Sequence, residues 1–442
     1  MGGVPCDTGA TATKKNFAPR IGLAYRLGAK TVIRTGFGIT VDPDNMRNQR
    51  NAFPAIVNQD YSPANTYQFV TYPGVSQVSL RNGVPAPQFP DIPVGVFKPS
   101  TTPSLTTYLP STGTASFPQY MNRGYIESWN FFVQREVSST LSVEAGCVGT
   151  HAIHTMLGVN INGSAPGTGN AGRQLCPYLT TDLNFYEPFG WVKYHGLQTR
   201  LRKRIGWSTL GISYTFAKAL NTADNGDSAL FRAYPMATEL NEGLAGFDRT
   251  HTFQFFHYYQ LPFGHGKKWL NHGFIAQIVG GFQIGGTISR YSGLPFTVNS
   301  STPVNAGGQI QTSDQINSQV AMLGGHDANH PYFDGSAFAN VPTNIPARLG
   351  TTGRNILRGP GYFNWNQNIS RTFAFRKESI KLQFLGEAFN LTNTPSFANP
   401  SATVNAPSLN SDGSIRSYNG YSVITSTYSS ARQLQVGAKL TF

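Results

Sequence analysis

The chain of 442 residues lacks any uninterrupted apolar run long enough to cross a bilayer as a helix, which takes about 20 such residues. It also has few charges, since only 12% of its residues are Asp, Glu, Lys or Arg, too few for a typical soluble surface. If the chain enters a membrane, strands must therefore span it. A closed barrel needs apolar side chains only at every second position, so its mean hydropathy, −0.25 here, stays unremarkable.

Cysteines are scarce as well. Cys6, Cys147 and Cys176 show no paired spacing, and an odd count leaves at least one without a partner within the chain, which excludes a disulfide framework. Whether Cys6 and Cys176 pair stays open. The net charge of +13 comes from dispersed basic residues instead of compact basic blocks, so no nucleic-acid partner is predicted.

The N-terminus lacks a recognisable signal peptide, because no positively charged start leads into an apolar core and a cleavage site. A protein exported to an outer membrane needs such a peptide. We therefore expect the chain to be a fragment of a longer protein.

What the sequence does contain is alternation at period two, the pattern of strands with lipid on one side and water or protein on the other. The two clearest strands put Leu434, Val436, Ala438, Leu440 and Phe442 on one face, and likewise Leu210, Ile212, Tyr214 and Phe216. Weaker copies occur along the chain and bring the prediction to eleven strands. The weaker copies centre on residues 21–27, 33–39, 129–133, 141–145, 197–201, 253–255, 282–288, 363–369 and 380–384.

The connections alternate between short and long. Short turns are predicted at residues 28–30, 138–140, 205–208 and 376–378, with an intermediate link over 262–278. Long loops are predicted at residues 42–119, 157–192, 221–248, 292–362 and 391–429. Outer-membrane barrels have this design, with short periplasmic turns and long extracellular loops. An odd number of antiparallel strands cannot close, so the predicted fold is all-β, a partial transmembrane antiparallel barrel.

Several segments resemble those of one family in collinear order from about residue 16 to the end. They are Asn16–Ile39, Tyr125–His154, Tyr194–Asn221, Phe247–Trp269, Gly353–Phe373 and Leu382–Pro400. With these segments the chain resembles the Oar-like branch of TonB-dependent receptors common in Acidobacteria.

The resemblance implies a cell outer membrane protein of a Gram-negative type bacterium. In such receptors a barrel of 22 strands encloses a plug, so residues 17–442 would supply the C-terminal half and residues 1–16 a flexible loop remnant. A nutrient such as a glycan, a peptide or a metal chelate would be the ligand. Further implied partners are the TonB complex, through the missing N-terminal part, outer-membrane lipid and lipopolysaccharide. The barrel-assembly machinery would recognise the terminal strand ending in Phe442.

No constellation for catalysis is present, and the chain is predicted not to be an enzyme. His151 and His154 lack the glutamate of a zinc motif, and Cys147 falls on the predicted apolar face. Asp224 opens a short Asp/Asn/Gly cluster that lacks calcium-loop spacing, so a turn is favoured. Neither a metal nor a cofactor is expected.

Two sets of residues are candidates for substrate binding. The first is the basic lumen face, namely Arg20, Arg34, Arg200, Arg202 and Lys381, which would attract anionic groups. The same residues could instead pair with acids on the plug, with Glu144 and Glu387, or with lipopolysaccharide phosphates, and this reading is favoured. The second set is Tyr61, Tyr67, Phe69 and Tyr72 in the first long loop, which are suited to stacking on flat ligands or to packing within the loop.

Two functions compete. The leading hypothesis is a transporter driven through TonB, and the alternative is an outer-membrane adhesin or glycan-binding barrel without active transport. An uptake assay with an uncoupler separates the two.

Overall fold

One antiparallel sheet with eleven long strands forms the body of the structure, a computed structural model. The structure describes residues 11–13, 16–42, 114–116, 118, 120–176, 180–224, 238–343, 346–375, 380–405, 408–412, 415–417 and 419–442. The long strands are β1 (Arg20–Leu27), β2 (Thr31–Val41), β3 (Tyr125–Ser138), β4 (Leu141–Asn160), β5 (Leu183–Ile205), β6 (Ser208–Asn221), β7 (His251–Gln260), β8 (Phe282–Tyr291), β9 (Tyr362–Phe375), β10 (Ile380–Phe389) and β11 (Gln433–Thr441).

The eleven strands pair in chain order, each with its sequence neighbour. Among the described residues β1 and β11 form the two edges and do not pair with each other, so the sheet is an open, partial barrel. The predicted all-β class, the strand count and the partial closure are thereby confirmed.

The two faces of the sheet differ in the way the period-two pattern predicts. In one row Phe131, Cys147, Leu197 and Phe216 are successive cross-strand partners, and Leu197 and Phe216 remain 42% and 49% exposed. Cys147 thus lies on the apolar face, as predicted. On the opposite face, alanines near the ends of β4 and β6 are buried, because loops fold over that side: Ala152, Ala217 and Ala219. We call the apolar face the outer face and the covered one the inner face.

All long loops emerge from one end of the sheet, the loop end, and the short connections lie at the other, the turn end. The predicted turns at 28–30, 138–140 and 205–208 are confirmed, while 376–378 lies outside the described residues. The predicted loop 157–192 is shorter than expected, because β4 continues to Asn160 and β5 begins at Leu183. A register shift between Ile153 and Thr155, with His154 at φ 57°, accompanies this extension.

Shorter elements decorate the sheet. Inside the predicted flexible segment 1–16, Thr11–Ala12 pairs in parallel with Tyr120–Met121. Other short strands are Thr114–Ser116, Gly243–Leu244, Pro295–Phe296, Asn299–Ser300, Asp314–Gln315, Phe338–Ala339, Leu357–Arg358, Thr403–Val404, Ser408–Leu409 and Ile415–Ser417. Three 3-10 turns cover Asn170–Gly172, Thr238–Asn241 and Gly335–Ala337.

The predicted link over residues 262–278 contains a seven-residue helix, α1 (Gly273–Val279). Arg371, on the outer face of β9, donates to the carbonyl oxygens of Gln277 and Ile278 at the C-terminal end of α1. Lys or Arg near a helix C-terminus complements the exposed carbonyls and stabilises that end of the helix. In the described part of the chain, no helix combines the length and the apolarity needed to span a membrane.

The loops after β8 and β10 share an apolar core of their own, which we call the loop dome core. Its buried members are Phe296, Val298, Phe333, Ala337, Phe338, Leu357, Val404 and Tyr421. The rings of Phe333 and Tyr421 meet edge to face with centroids 5.4 Å apart. The two loops therefore fold as one packed body above the sheet, which we call the loop dome.

Candidate functional site

The candidate site lies at the loop end, where the loop dome meets the rim of the sheet. Two arginines of the β8–β9 loop reach down to the ends of β6 and β7. We call the four residues Asn221, Asp248, Arg354 and Arg358 the rim clamp. Its members come from three of the segments that resemble the receptor family, 194–221, 247–269 and 353–373, so these segments converge in space.

Arg354 is buried in the rim clamp, with 9% of the residue exposed. Its Nη2 donates to the main-chain oxygen of Asn221 at 2.7 Å and also contacts the Oδ1 of Asn221, and its Nη1 lies 3.5 Å from the carboxylate of Asp224. Burial lowers the pKa of Arg354, and the charge of Asp224 opposes that change. Asp224 also accepts from the backbone N–H of Gly246 at 2.6 Å, and the remaining residues of the predicted turn, 225–227, lie outside the described residues.

Arg358 pairs with Asp248, whose side chain is only 1% exposed. The other oxygen of this carboxylate accepts from the backbone N–H of Ala219 at 2.5 Å. Arg358 further donates to the carbonyl oxygen of Gly293 at 3.2 Å. A buried carboxylate is stable only when paired and hydrogen-bonded, and here both conditions are met by the strand end and the loop together.

Inside the loop dome, Arg348 holds Asp314 through two parallel hydrogen bonds of 2.7 and 2.6 Å. The Arg348 guanidinium holds the pKa of the Asp314 carboxyl below its ordinary value, against a smaller opposing effect of burial. Burial among the dome residues raises the pKa of Tyr421. These groups therefore fix the shape of the dome.

A pocket of about 490 Å³ opens between the β4–β5 loop and the β8–β9 loop. The two loops are joined beside it, since Gly307 N donates to Ser164 Oγ at 2.6 Å and Ser164 N donates to Gly307 O at 3.1 Å. Its lining carries amides, hydroxyls and backbone groups but no ionisable side chain, and we call it the amide pocket. The polar lining side chains are Asn170, Asn299, Ser300, Thr302, Asn305, Gln309 and Gln311. The Oδ1 of Asn299 is buried and has no hydrogen-bond partner within the described ranges of the chain.

The predicted basic lumen residues all lie on the inner face, but they do not form one site. Arg34 on β2 donates to Gln134 at 2.7 Å and pairs with Glu144 on β4. Glu144 is the cross-strand partner of Arg200, and Arg202 follows one step nearer the turn end. Arg34, Glu144 and Arg200 thus form a lumen cluster in which Glu144 pairs with Arg34 and lies opposite Arg200.

The other predicted residues lie apart from that cluster. Arg20 lies at the loop end of β1, and Lys381 lies near the turn end of β10, several strands away. The aromatic residues Tyr61, Tyr67, Phe69 and Tyr72 lie outside the described residues. Phe442, the predicted assembly signal, is 95% exposed beyond the last strand.

Metal-binding geometry is not found in the described part of the chain, where no group of three or more His, Cys, Asp or Glu side chains could hold an ion. His151 instead lies 3.8 Å from Glu127 across β3 and β4. His154 packs edge to face against Tyr125. Cys147 and Cys176 are free thiols, and Cys6 lies outside the described residues.

Sequence reasoning did not identify the rim clamp or the amide pocket. The segment GRNILRGPG, with both clamp arginines, carried the resemblance but gave no sign of the partners of these arginines. A buried arginine needs a distant acceptor, and composition alone does not name it. The one sequence signal for the rim clamp was that Arg354 and Arg358 lie in a long Gly- and Pro-rich loop, close to the start of the next strand.

A family model described as an outer membrane beta barrel domain matches residues 2–435. No curated protein matches the chain. Among solved structures, the chain is similar to the outer membrane transporter YddB from Escherichia coli, with 9% identity, a TM-score of 0.49, and coverage of 96% of this chain and 40% of that one. It is also similar to the siderophore receptor PiuA from Acinetobacter baumannii, with 9% identity, a TM-score of 0.42, and coverage of 96% and 35%. The chain thus spans about two fifths or less of the length of these proteins.

Proposed function

The chain belongs to the outer membrane beta barrel domain family, and on that premise we propose that it is the C-terminal half of a TonB-dependent receptor of the Oar-like branch that takes up a nutrient. Its location is the outer membrane of a Gram-negative cell. The proposal assigns it strands 12 to 22 of the complete barrel.

The observation that carries the proposal is the rim clamp. Asn221 ends one segment of the resemblance, Asp248 opens another, and Arg354 and Arg358 belong to a third. Through these contacts the loop dome is held rigidly over the inner face. Recognition residues usually sit on loops positioned by a rigid scaffold, so a preorganised dome above a polar lumen suits a receptor.

The open edges of the sheet support the part of the proposal that concerns further strands and a plug. An unpaired edge in hydrocarbon exposes backbone groups, each of which costs several kcal/mol, so β1 and β11 need strand partners. The lumen cluster faces the space that a plug would fill. In this arrangement plug carboxylates would neutralise Arg200 and Arg202, which have no carboxylate partner among the described residues.

The amide pocket supports a polar ligand without net charge, and a glycan fits this description better than a peptide or a metal chelate. Amide and hydroxyl groups both donate and accept hydrogen bonds, as the hydroxyl groups of a sugar do. Arg20, Arg34, Arg200, Arg202 and Lys381 stay candidates for ligand binding deeper in the lumen, and Tyr61, Tyr67, Phe69 and Tyr72 stay candidates in the first loop. Recognition of Phe442 by the barrel-assembly machinery belongs to the same proposal.

The test is uptake by cells that carry the complete receptor, compared with cells from which it is deleted. Three labelled probes are used, namely an oligosaccharide pool, a peptide pool and a ferric chelate, each with and without a protonophore. We expect the oligosaccharide pool to accumulate only in receptor-bearing cells, and accumulation to stop when the protonophore is added. Binding at the surface that is unaffected by the protonophore, without accumulation, would overturn transport and support the adhesin.

A pocket variant sharpens this assay. Asn299→Ala removes a side chain that lines the amide pocket, and we expect it to reduce oligosaccharide uptake severalfold. Asn329→Ala is the matched control, because Asn329 is an exposed residue of the same β8–β9 loop that does not line the amide pocket, and its backbone N–H, not its side chain, donates to Asp327 at 2.8 Å. Equal loss in both variants would argue against the amide pocket as the binding site.

A further inference from the structure

Three basic side chains meet on the outer face near the loop end. Lys193 and His195 stand on β5, and Lys218 on β6 is the cross-strand partner of His195. All three are exposed. Directly opposed residues of an antiparallel pair have Cβ atoms about 5 Å apart, so His195 and Lys218 share one small area. We call Lys193, His195 and Lys218 the outer rim patch.

The outer rim patch borders the membrane-facing apolar band. One step towards the turn end, the cross-strand pair Leu197 and Phe216 points to the same side. On the same face of β5, Leu201 and Ile205 follow further down. The patch therefore lies where the apolar band ends and lipid headgroups begin.

Two tryptophans contact side chains of the outer rim patch. The ring of Trp129 crosses β4 over Gly149, where a Cβ would stand 2.2 Å from Trp129 Cε2, and its centroid comes 5.6 Å from that of His195. The ring of Trp191 lies 4.9 Å from Lys193 Nζ. A concavity of about 720 Å³ is lined by Trp129, His195 and Lys218, with Leu197, Phe216 and Leu220 among the apolar residues of its wall.

Among the described residues, the two lysines of the outer rim patch lack neutralising partners. No carboxylate of the described residues pairs with Lys193 or Lys218. Of the neighbouring acids, Glu127 faces His151 at 3.8 Å, and Glu242 accepts the indole N–H of Trp191 at 3.0 Å. Lys193 lies opposite Leu220, and Lys218 lies opposite His195, so the two lysines are diagonal neighbours on one face. Their like charges repel, and a nearby low-dielectric medium strengthens the repulsion. An anion between Lys193 and Lys218 would remove that repulsion.

We propose that the outer rim patch binds the phosphate group of a glycolipid in the outer leaflet. Lys193 and Lys218 supply the point charges for the phosphate, and His195 supplies a ring N–H. Acyl chains of the same lipid run down the wall over Leu197 and Phe216. The lipid is the occupant favoured here because the patch faces the bilayer and joins a cationic edge to an apolar surface. This inference does not depend on the proposed transport.

The test uses the full-length protein in detergent, with lipid binding followed by native mass spectrometry. The probes are a bisphosphorylated lipid A, the same lipid without its phosphates, and phosphatidylglycerol. We expect the phosphorylated lipid A to bind at least about tenfold more tightly than either of the other two. Equal binding of the dephosphorylated form would overturn the phosphate site, and equal binding of phosphatidylglycerol would overturn the choice of a glycolipid.

A variant locates the site. The double substitution Lys193→Gln and Lys218→Gln should abolish the preference for the phosphorylated lipid. Lys203→Gln is the matched control, because Lys203 stands on the same face of β5 at its turn end and donates to Thr140 Oγ1 at 2.8 Å. If the double variant keeps the preference, or Lys203→Gln loses it, the proposal is wrong. The comparison of probes on the unchanged protein decides the matter even if the double variant does not assemble.

Discussion

Arg354 in the β8–β9 loop donates a hydrogen bond of 2.7 Å to the main-chain oxygen of Asn221, the last residue of β6. The bond joins residues 133 positions apart in the chain. Its acceptor belongs to the last residue of β6, and its donor is a buried guanidinium that also contacts Asn221 Oδ1 and Asp224. The bond therefore couples the position of the loop dome to the rim of the sheet.

The first prediction concerns this bond. Arg354→Lys removes the fork that contacts Asn221 and Asp224 together, and a lysine cannot reproduce both contacts. We expect the free energy of local opening of the loop to fall by about 2 kcal/mol, the usual size for hydrogen bonds to a charged group. Amide hydrogen exchange in residues 353–359 of the purified protein measures this change.

Arg432→Lys is the control, because Arg432 is exposed and its Nη1 donates only a long hydrogen bond, of 3.4 Å, to the carbonyl oxygen of Leu391. In Arg432→Lys, the exchange rates of residues 353–359 should match those of the unchanged protein. Unaltered exchange in Arg354→Lys would show that the rim clamp does not hold the dome.

The second prediction is a pH dependence of the loop dome. Hydrogen bonds from Arg348 lower the pKa of Asp314 from its ordinary 3.8. A carboxyl with a lowered folded pKa stabilises the fold above its unfolded pKa, and this contribution is lost as the pH falls through the folded value. Exchange around residues 312–315 and 348–352 should therefore accelerate below about pH 4.

Asp314→Asn supplies the comparison for this titration. The amide keeps the shape of the side chain but cannot be protonated, so its dome should be weaker at neutral pH and should lose little more in acid. The same acid transition in both proteins would assign the effect to another group.

The third prediction concerns Gly211, which faces Phe256 across β6 and β7 on the inner face. A Cβ at Gly211 would stand 2.3 Å from Phe256 Cε1, so the ring fills the space that a side chain would take. Gly211→Ala should lower barrel stability by about 1–3 kcal/mol through overpacking. The urea midpoint of the heat-modifiable folded band measures it.

Gly386→Ala is the matched control for this substitution. A Cβ at Gly386 would meet Ile369 Cγ2 at 3.4 Å, an ordinary contact, and the urea midpoint should stay nearly unchanged. Equal midpoints for both variants would mean that the Phe256 ring moves aside without strain.

The fourth prediction concerns Glu144 in the lumen cluster. Glu144→Gln removes the carboxylate that pairs with Arg34 and lies opposite Arg200, so the local potential of the inner face becomes more positive. Binding of a polyanionic fluorescent dye should strengthen severalfold at low salt, and this gain should shrink as salt is added. Glu127→Gln, on the outer face, should leave dye binding unchanged, and an equal effect of both substitutions would refute a lumen origin.

Much of the fold could be predicted from the sequence because strand membership is a local property. The alternation around Leu210 and Leu434 marks strands that are apolar on one side only, and all eleven strands were found in this way. The predicted strand boundaries were wrong where a strand is no longer apolar on one side and polar on the other. Residues 157–160 and 183–192 continue β4 and β5 to where the loop body covers them, and there the two faces no longer need opposite polarity.

The sequence by itself determined the number of strands, the outer face and the side on which the long loops lie, because each follows from neighbours a few positions apart. Only the tertiary structure decided that Arg358 meets Asp248, that Arg34 pairs with Glu144, and that Lys218 lies opposite His195. Those relationships depend on strand register and on the path of loops across the rim. Register and loop path are set by packing between distant segments, a property that no local pattern of residues contains.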